Sequence, residues 1–425
     1  MSTKAGGSSR ASASSSPASL FVASCLALVV SAMAFGIRGD ILGDLAKQFH
    51  TDPKAIGWAI TGAFWGFTIS IAIGGILCDW VGMKGLLVLA FIAHMLGITF
   101  TIWSPTLGVL AFATLMIGLG NGFVEGAVNP LVATLYPDKK TVKLNLLHAW
   151  WPGGIVIGAV LAYILTRLGQ SWQVKQALCY VPVLVYGFMF IGLKLPSTER
   201  VQSGVSTGRM YRAIFSMFLV WFFCMLLTAS TELGTNQWIG EMMKGVGIQS
   251  GILILAWISG LMLIGRLFAG PVIHKLSPTG LLVSSAAISA IGLLALSQAT
   301  TVTMAYVTSA VFAVGICYFW PTMLGVTSER FPEGGALLMG LMGAAGMASA
   351  GFAQPTMAAL VQNFGTDGAL MRAAILPAIL VVIFGAFYLS DRARGGYKAV
   401  KLAEATAGAP KKSAEAVEAS EKEKA

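Results

Sequence analysis

Long apolar stretches alternate with short polar ones along the whole 425-residue chain, and that spacing decides its class. About twenty apolar residues are needed for a helix to cross a bilayer. Segments of that kind run over approximately 19–45, 55–78, 85–103, 107–134, 144–166, 175–193, 212–238, 248–269, 279–298, 302–326, 335–361 and 369–389. The pattern predicts an all-α membrane protein with twelve transmembrane helices. A polar connection at 194–211, carrying Pro196, Glu199, Arg200 and Arg209, divides them into a bundle over 19–193 and a second over 212–390. Residues 1–18 form a Ser/Ala/Gly-rich start of disordered character, and 391–425 reads as a soluble, solvated tail rich in Lys, Glu and Ala.

Composition removes the rivals of this reading. Only 11% of the residues are charged against 56% hydrophobic, whereas a soluble domain carries about 25% charge. The net charge of +10 sits in short loops and termini and forms no basic stripe, so nucleic acid is not an expected partner. Placing both termini and the central connection in the cytoplasm puts 21 Lys and Arg inside and six outside, with Arg38 left inside the first helix. The positive-inside rule therefore predicts a multi-pass protein of the plasma (inner) membrane with both termini cytoplasmic. Leu20–Ala34 resembles a signal sequence, but it continues to Leu45 and reads as an uncleaved first helix. The five cysteines lack CxxC spacing, and no metal or cofactor is expected.

The halves read as repeats. Asp40 and Glu232 are offset by 192 positions, Pro130 and Pro321 by 191, and Tyr136-Pro137 and Phe331-Pro332 by 195.

Within this apolar background the polar residues stand out. Glu125 lies inside the fourth segment, with Asn129 at i+4 on the same face; Asn145 and His148 are at i and i+3 in the fifth, with Trp151 one turn further on. An ionisable group at such depth is a functional candidate. Asn129 and His148 also fit interhelical hydrogen bonding. Pro130 and the kink it brings can free a carbonyl toward a cavity. In the seventh segment, Glu232, Asn236, Gln237 and Trp238 offer amide groups for hydroxyls and an aromatic face, or else an outer helix cap. Asp40 lies in the outer half of the first helix, at a carboxylate or water-boundary position, and Arg38 is expected to pair with another helix.

Between helices 2 and 3 stands Gly75-Ile76-Leu77-Cys78-Asp79-Trp80-Val81-Gly82-Met83-Lys84-Gly85, and Gly265-Arg266 through Gly270 to Lys275 looks like a second copy. The first resembles the signature loop of the major facilitator superfamily. That resemblance implies the major facilitator fold, two pseudo-symmetric six-helix bundles, with Asp79, Gly82, Lys84 and Arg266 in conformational gating. Gly39-Asp40-Ile41-Leu42, Gly118-Leu119-Gly120 through Glu125 to Asn129-Pro130, and Lys143-Leu144-Asn145-Leu146-Leu147-His148 resemble the fucose-type sugar:proton symporters. The branch implies proton coupling at Asp40 and Glu125 and a small polar substrate, a sugar, for which the helix faces read above offer Asn129, Asn145, His148, Trp151, Glu232, Asn236, Gln237 and Trp238. His148 and Trp151 depart from the fucose pattern, as do Arg38 and Gly39. The expected function is secondary active transport with proton symport by a monomer in the lipid bilayer. A proton-coupled exporter, for which Trp151-Pro152-Gly153-Gly154 is a partial motif, and a transport-inactive sensor are the alternatives. No HExxH, G-x-S-x-G or P-loop pattern suggests an enzyme.

Overall fold

Glycine and proline punctuation divides the apolar chain into helices whose ends recur in both halves. A computed structural model describes residues 15–51, 53–248 and 251–402. The expectations for residues 1–14 and 403–425 lie outside the described residues. The membrane helices are α1 (Pro17–Gln48), α2 and α3 (53–81 and 83–102), α4 (Leu107–Leu135), α5 (Lys140–Arg167), α6 (Trp172–Gly192), α7 (218–242), α8 and α9 (251–276 and 278–297), α10 (Val302–Arg330), and α11 and α12 (335–364 and 366–393). Three pairs run on with hardly a break. Gly82 (φ 73°, ψ 160°), Ser277 (φ 63°, ψ 163°) and Gly365 (φ 70°, ψ 178°) make the turns that separate them.

Those turns set the true register of the repeat. Gly82 and Ser277 are 195 positions apart, as are the capping threonines Thr106 and Thr301, which accept from Val109 N and Met304 N. Tyr136 and Phe331, each ending a helix with a proline following, share this offset. Tyr136-Pro137 and Phe331-Pro332 are therefore true equivalents. Asp40/Glu232 and Pro130/Pro321 miss the register by about one helical turn, so they are not. The second signature loop likewise lies at 270–280, around Ser277, and not at 265–275. Arg266 falls about three turns before it, inside α8.

Close helix approach uses the glycines. A Cβ at Gly36 would stand 2.6 Å from the Ile155 carbonyl, so α1 and α5 pack backbone to backbone. Dispersion at such contacts replaces the hydrophobic drive that lipid does not supply. The connection 194–211 contains two short helices, Glu199–Gln202 and Thr207–Arg212, on one face of the molecule, here called the linker face. The five cysteines are buried and unpaired.

Candidate functional site

The interior polar residues meet where α4 and α5 of the first half face α7, α8, α10 and α11 of the second. A small cavity there is lined by Glu125, His148, Trp151, Glu232, Leu233, Arg266, Trp320 and Met347. Glu125 is 1% exposed and Glu232 3%, so an acid from each half reaches one dry space.

On the α4/α5 side, His148 Nε2 donates to Asn129 Oδ1 at 3.0 Å, and Asn129 Nδ2 donates to Glu125 Oε2 at 3.1 Å. The i, i+4 spacing of Glu125 and Asn129 produces this chain, which runs from helix α5 to the acid. Trp151 packs between Phe35 and Phe67 and closes the cavity's edge. Asn145 sits one turn toward the linker face, where its amide donates to Thr141 O and, across the two halves, to Thr322 Oγ1 at 3.3 Å.

On the other side, α7 changes to a π-helical turn over Ser230–Gly234. Such turns are found at functional sites because they widen the backbone locally and re-aim side chains. Glu232 lies in this turn and accepts from Arg266 Nη2 at 3.2 Å. Its second oxygen, Oε2, is buried without a partner, as is Asn236 Oδ1, while the Trp320 indole is set against the Glu125 carboxylate. Buried polar atoms normally have partners, and Glu232 Oε2 is one without a partner on a residue that lines the cavity.

Several expected residues lie elsewhere. Gln237 is exposed and Trp238 half-buried, turned from the cavity by the helical period that keeps Asn236 buried. Asp40 does not reach the cavity. Near the ends of α1 and α5 away from the linker face it accepts from Lys175 Nζ at 2.7 Å and Thr166 Oγ1 at 2.8 Å. Lys175 also approaches Asp44 at 3.7 Å, which together with Asp40 keeps this buried ammonium paired. Arg38, expected to pair with another helix, instead lies 5.8 Å from the Phe35 ring centre. Asp40→Asn is expected to lower thermal stability, by about 1–3 kcal/mol for a lost charged hydrogen bond, while sparing gradient-driven uptake. Loss of that uptake at unchanged folding would return Asp40 to the coupling role.

Arg266 is displaced the other way, from the expected gating loop to the cavity. The repeat of the Gly82 turn falls at Ser277, which leaves Arg266 inside α8. Trp320, a cavity residue with no flanking motif, stands 195 positions after Glu125, its repeat counterpart.

The linker face is laced together around Asp79. Arg200 donates to it from Nε (2.9 Å) and Nη2 (2.6 Å), and Thr198 donates at 2.7 Å. Gly82 makes the turn, and Lys84 Nζ donates to the carbonyls of Ile191 and Leu193 at the end of α6. Lys140 pairs with Glu199 at 2.5 Å. Glu329 of α10 accepts from Thr141 N of α5 at 2.9 Å, bonding the halves directly. Part of the tail, expected to be solvated, packs here: Tyr397 donates to Glu329 Oε2 at 2.8 Å, Val400 N to Glu329 O at 2.7 Å, and Leu402 is buried. Burial and the Glu329 carboxylate push the Tyr397 phenol well above its ordinary pKa, which keeps it a donor.

The sequence profile of the Major Facilitator Superfamily matches residues 24–334. The chain belongs to the Major Facilitator Superfamily. It is similar to monosaccharide-sensing protein 2 of Arabidopsis thaliana, 27% identical over 181 residues, covering 42% of this chain. This chain spans about a quarter of that relative's length, the match covering 24% of it. Among solved structures, the proton:xylose symporter XylE bound to 6-bromo-6-deoxy-D-glucose superposes with TM-score 0.75 at 14% identity, over 87% of this chain and 95% of that one. The E. coli fucose:proton symporter FucP (N162A) gives 0.70 at 16%, over 86% and 98%. At such identities the likeness concerns the fold: twelve helices in the major facilitator arrangement.

Proposed function

We propose that this member of the superfamily is a secondary transporter that moves a small polar solute of sugar size by alternating access, in symport with protons. The observation that carries the reading is the pair of acids, Glu125 from one half and Glu232 from the other, converging on a cavity between the halves. Rocking of the halves about such a site exposes it to each side in turn. The solutes in the names of the similar proteins, xylose, fucose and monosaccharides, support a hydroxylated solute. Glu125 is the proton carrier: it is backed by the Asn129–His148 chain and bonded to no cation in the closed cavity. Coupling follows if the solute prefers one of its protonation states, and the linkage is reciprocal.

Asp79, Gly82, Lys84 and Arg200 form the linker-side latch, which breaks when that face opens. Both termini and this face are placed in the cytoplasm, with the chain a monomer in the plasma membrane.

The test is uptake into proteoliposomes under an imposed pH gradient. Glu125→Gln is expected to abolish accumulation against a gradient and to retain solute counterflow. Full accumulation by the variant would remove Glu125 from the coupling. Solute-driven alkalinisation outside supports symport, and acidification supports proton exchange. The name of the Arabidopsis relative keeps a sensing role as a second reading, identified by solute binding without flux.

A further inference from the structure

A neutral solute has no need of a permanently charged guanidinium at the centre of its site, and desolvating one is expensive. Arg266 is nonetheless 1% exposed and lines the same cavity as Glu125. Two prolines explain how it is held. In an α-helix the carbonyl of residue i takes the N–H of residue i+4. Pro152 and Pro321 lack that N–H, so the carbonyls of His148 and Cys317 lose their intrahelical partners. Both accept from Arg266: Cys317 O from Nε at 2.6 Å and His148 O from Nη1 at 2.9 Å. One carbonyl comes from each half. The guanidinium is thus fixed by backbone, and its longest contact, 3.2 Å, is the one to the Glu232 carboxylate.

We infer that the solute is a hydroxylated carboxylate of sugar size, an aldonate or uronate, and that Arg266 selects it by exchanging Glu232 for the solute's carboxylate. The inference rests on the transport reading above and narrows its substrate class. Glu232 occupies, in this structure, the seat that the solute's carboxylate takes. The backbone cradle leaves the Nη2 edge toward the cavity, where a planar carboxylate matches guanidinium geometry. The indole N–H of Trp320, 5% exposed and set against the Glu125 carboxylate in the same cavity, supplies a further donor that an oxygen of the solute can share. Charge balance then ties the exchange to protons. Once the solute carboxylate holds Arg266, Glu232 would be an unpaired anion beside Glu125 in an enclosed space with one cation, so it takes up a proton in addition to the one Glu125 carries. Each solute anion therefore enters with a proton on Glu232 besides the one on Glu125, and release of the anion returns Glu232 to Arg266.

The test uses the purified full-length protein with glucuronate, gluconate and glucose as probes. Thermal shift and tryptophan fluorescence read binding across a pH series, and proteoliposome flux reads transport. Wild type is expected to bind the two acids in preference to glucose, more tightly as pH falls. Arg266→Lys, which keeps the charge but not the fork, is expected to weaken acid binding by about tenfold or more. Glu232→Gln is expected to make the pH dependence of acid binding shallower, leaving the part due to Glu125, a readout that a purely structural ion pair would not move. Preference for glucose, or equal losses for acids and glucose in Arg266→Lys, overturns the inference while leaving symport of a neutral sugar standing. Binding of none of the three probes by folded wild type also overturns it. Acid binding by wild type with no pH-driven accumulation sustains the selectivity and removes the symport reading instead.

Discussion

Gly340→Ala is expected to hold the transporter open on its linker face without unfolding either half. Gly340 lies in α11, and a Cβ built on it would stand 2.6 Å from the Ile71 carbonyl and 3.0 Å from the Gly75 Cα, both in α2. The neighbour is backbone, which cannot swing away as a flexible side chain would. Gly75 has the reciprocal contact, at 2.8 Å from the Ala336 carbonyl. The two helices belong to different halves, so the clash exists only while the linker face is closed. Overpacking of this kind costs about 1–3 kcal/mol, which shifts a two-state equilibrium by roughly tenfold to a hundredfold. A cysteine at Asn145, which bonds across to Thr322 in the closed state, reports on it through labelling by a membrane-impermeant thiol reagent in a cysteine-free background. Labelling from the linker side should rise in Gly340→Ala, and transport should fall. The control is Gly118→Ala, whose Cβ would stand 2.2 Å from the Ala63 carbonyl inside one half. There no rocking motion relieves the clash, so the expected outcome is loss of folded protein. If Gly340→Ala also loses folded protein while Gly118→Ala does not, the assignment of these interfaces to moving and static contacts is wrong.

The contrast shows where sequence carries information and where it does not. Hydrophobic length and Lys/Arg placement depend only on the bilayer, so twelve helices were legible, as was the Glu125–Asn129 face, which needs only the helical period. Arg266 was not legible as a cavity residue. Its neighbours Gly265 and Gly270 suggested a loop, and only the left-handed φ at Ser277 sets the register that carries α8 past it. Ser is an uncommon residue for that conformation, so no glycine marks the turn. Gln237 and Trp238 were grouped with Glu232 and Asn236 by composition, although neighbours in a helix do not share a face. The π turn at 230–234 has no sequence signature of its own. Asp40 fell to a third cause: its partner, Lys175, lies 135 positions away at the start of α6. A long-range ion pair of that kind is settled by packing.

Glu232→Ala is expected to be among the most destabilising single changes in the cavity, and a second change should undo much of the damage without restoring function. In the native arrangement one carboxylate and two backbone carbonyls face the Arg266 guanidinium in a space closed to water. The carbonyls orient the cation, but only Glu232 carries a compensating charge at hydrogen-bonding distance from it. Removing one member of a buried pair strands the other, at about 3–5 kcal/mol. A hydrophobic pair of similar volume has no such cost, so Glu232→Leu combined with Arg266→Met is expected to unfold at a temperature near that of wild type. The double variant should nevertheless be inactive in transport, because the polar centre between the halves is gone. Thermal unfolding in one detergent for the three proteins, with flux measured alongside, separates the terms. If the single variant matched wild-type stability, the carbonyls freed by Pro152 and Pro321 would be sufficient for the charge, and Glu232 would be free to serve the solute cycle alone. If the double variant stayed as unstable as the single one, the loss would belong to packing around α7 and α8. The expected order, with the single variant lowest and the double near wild type, is the signature of a stranded charge.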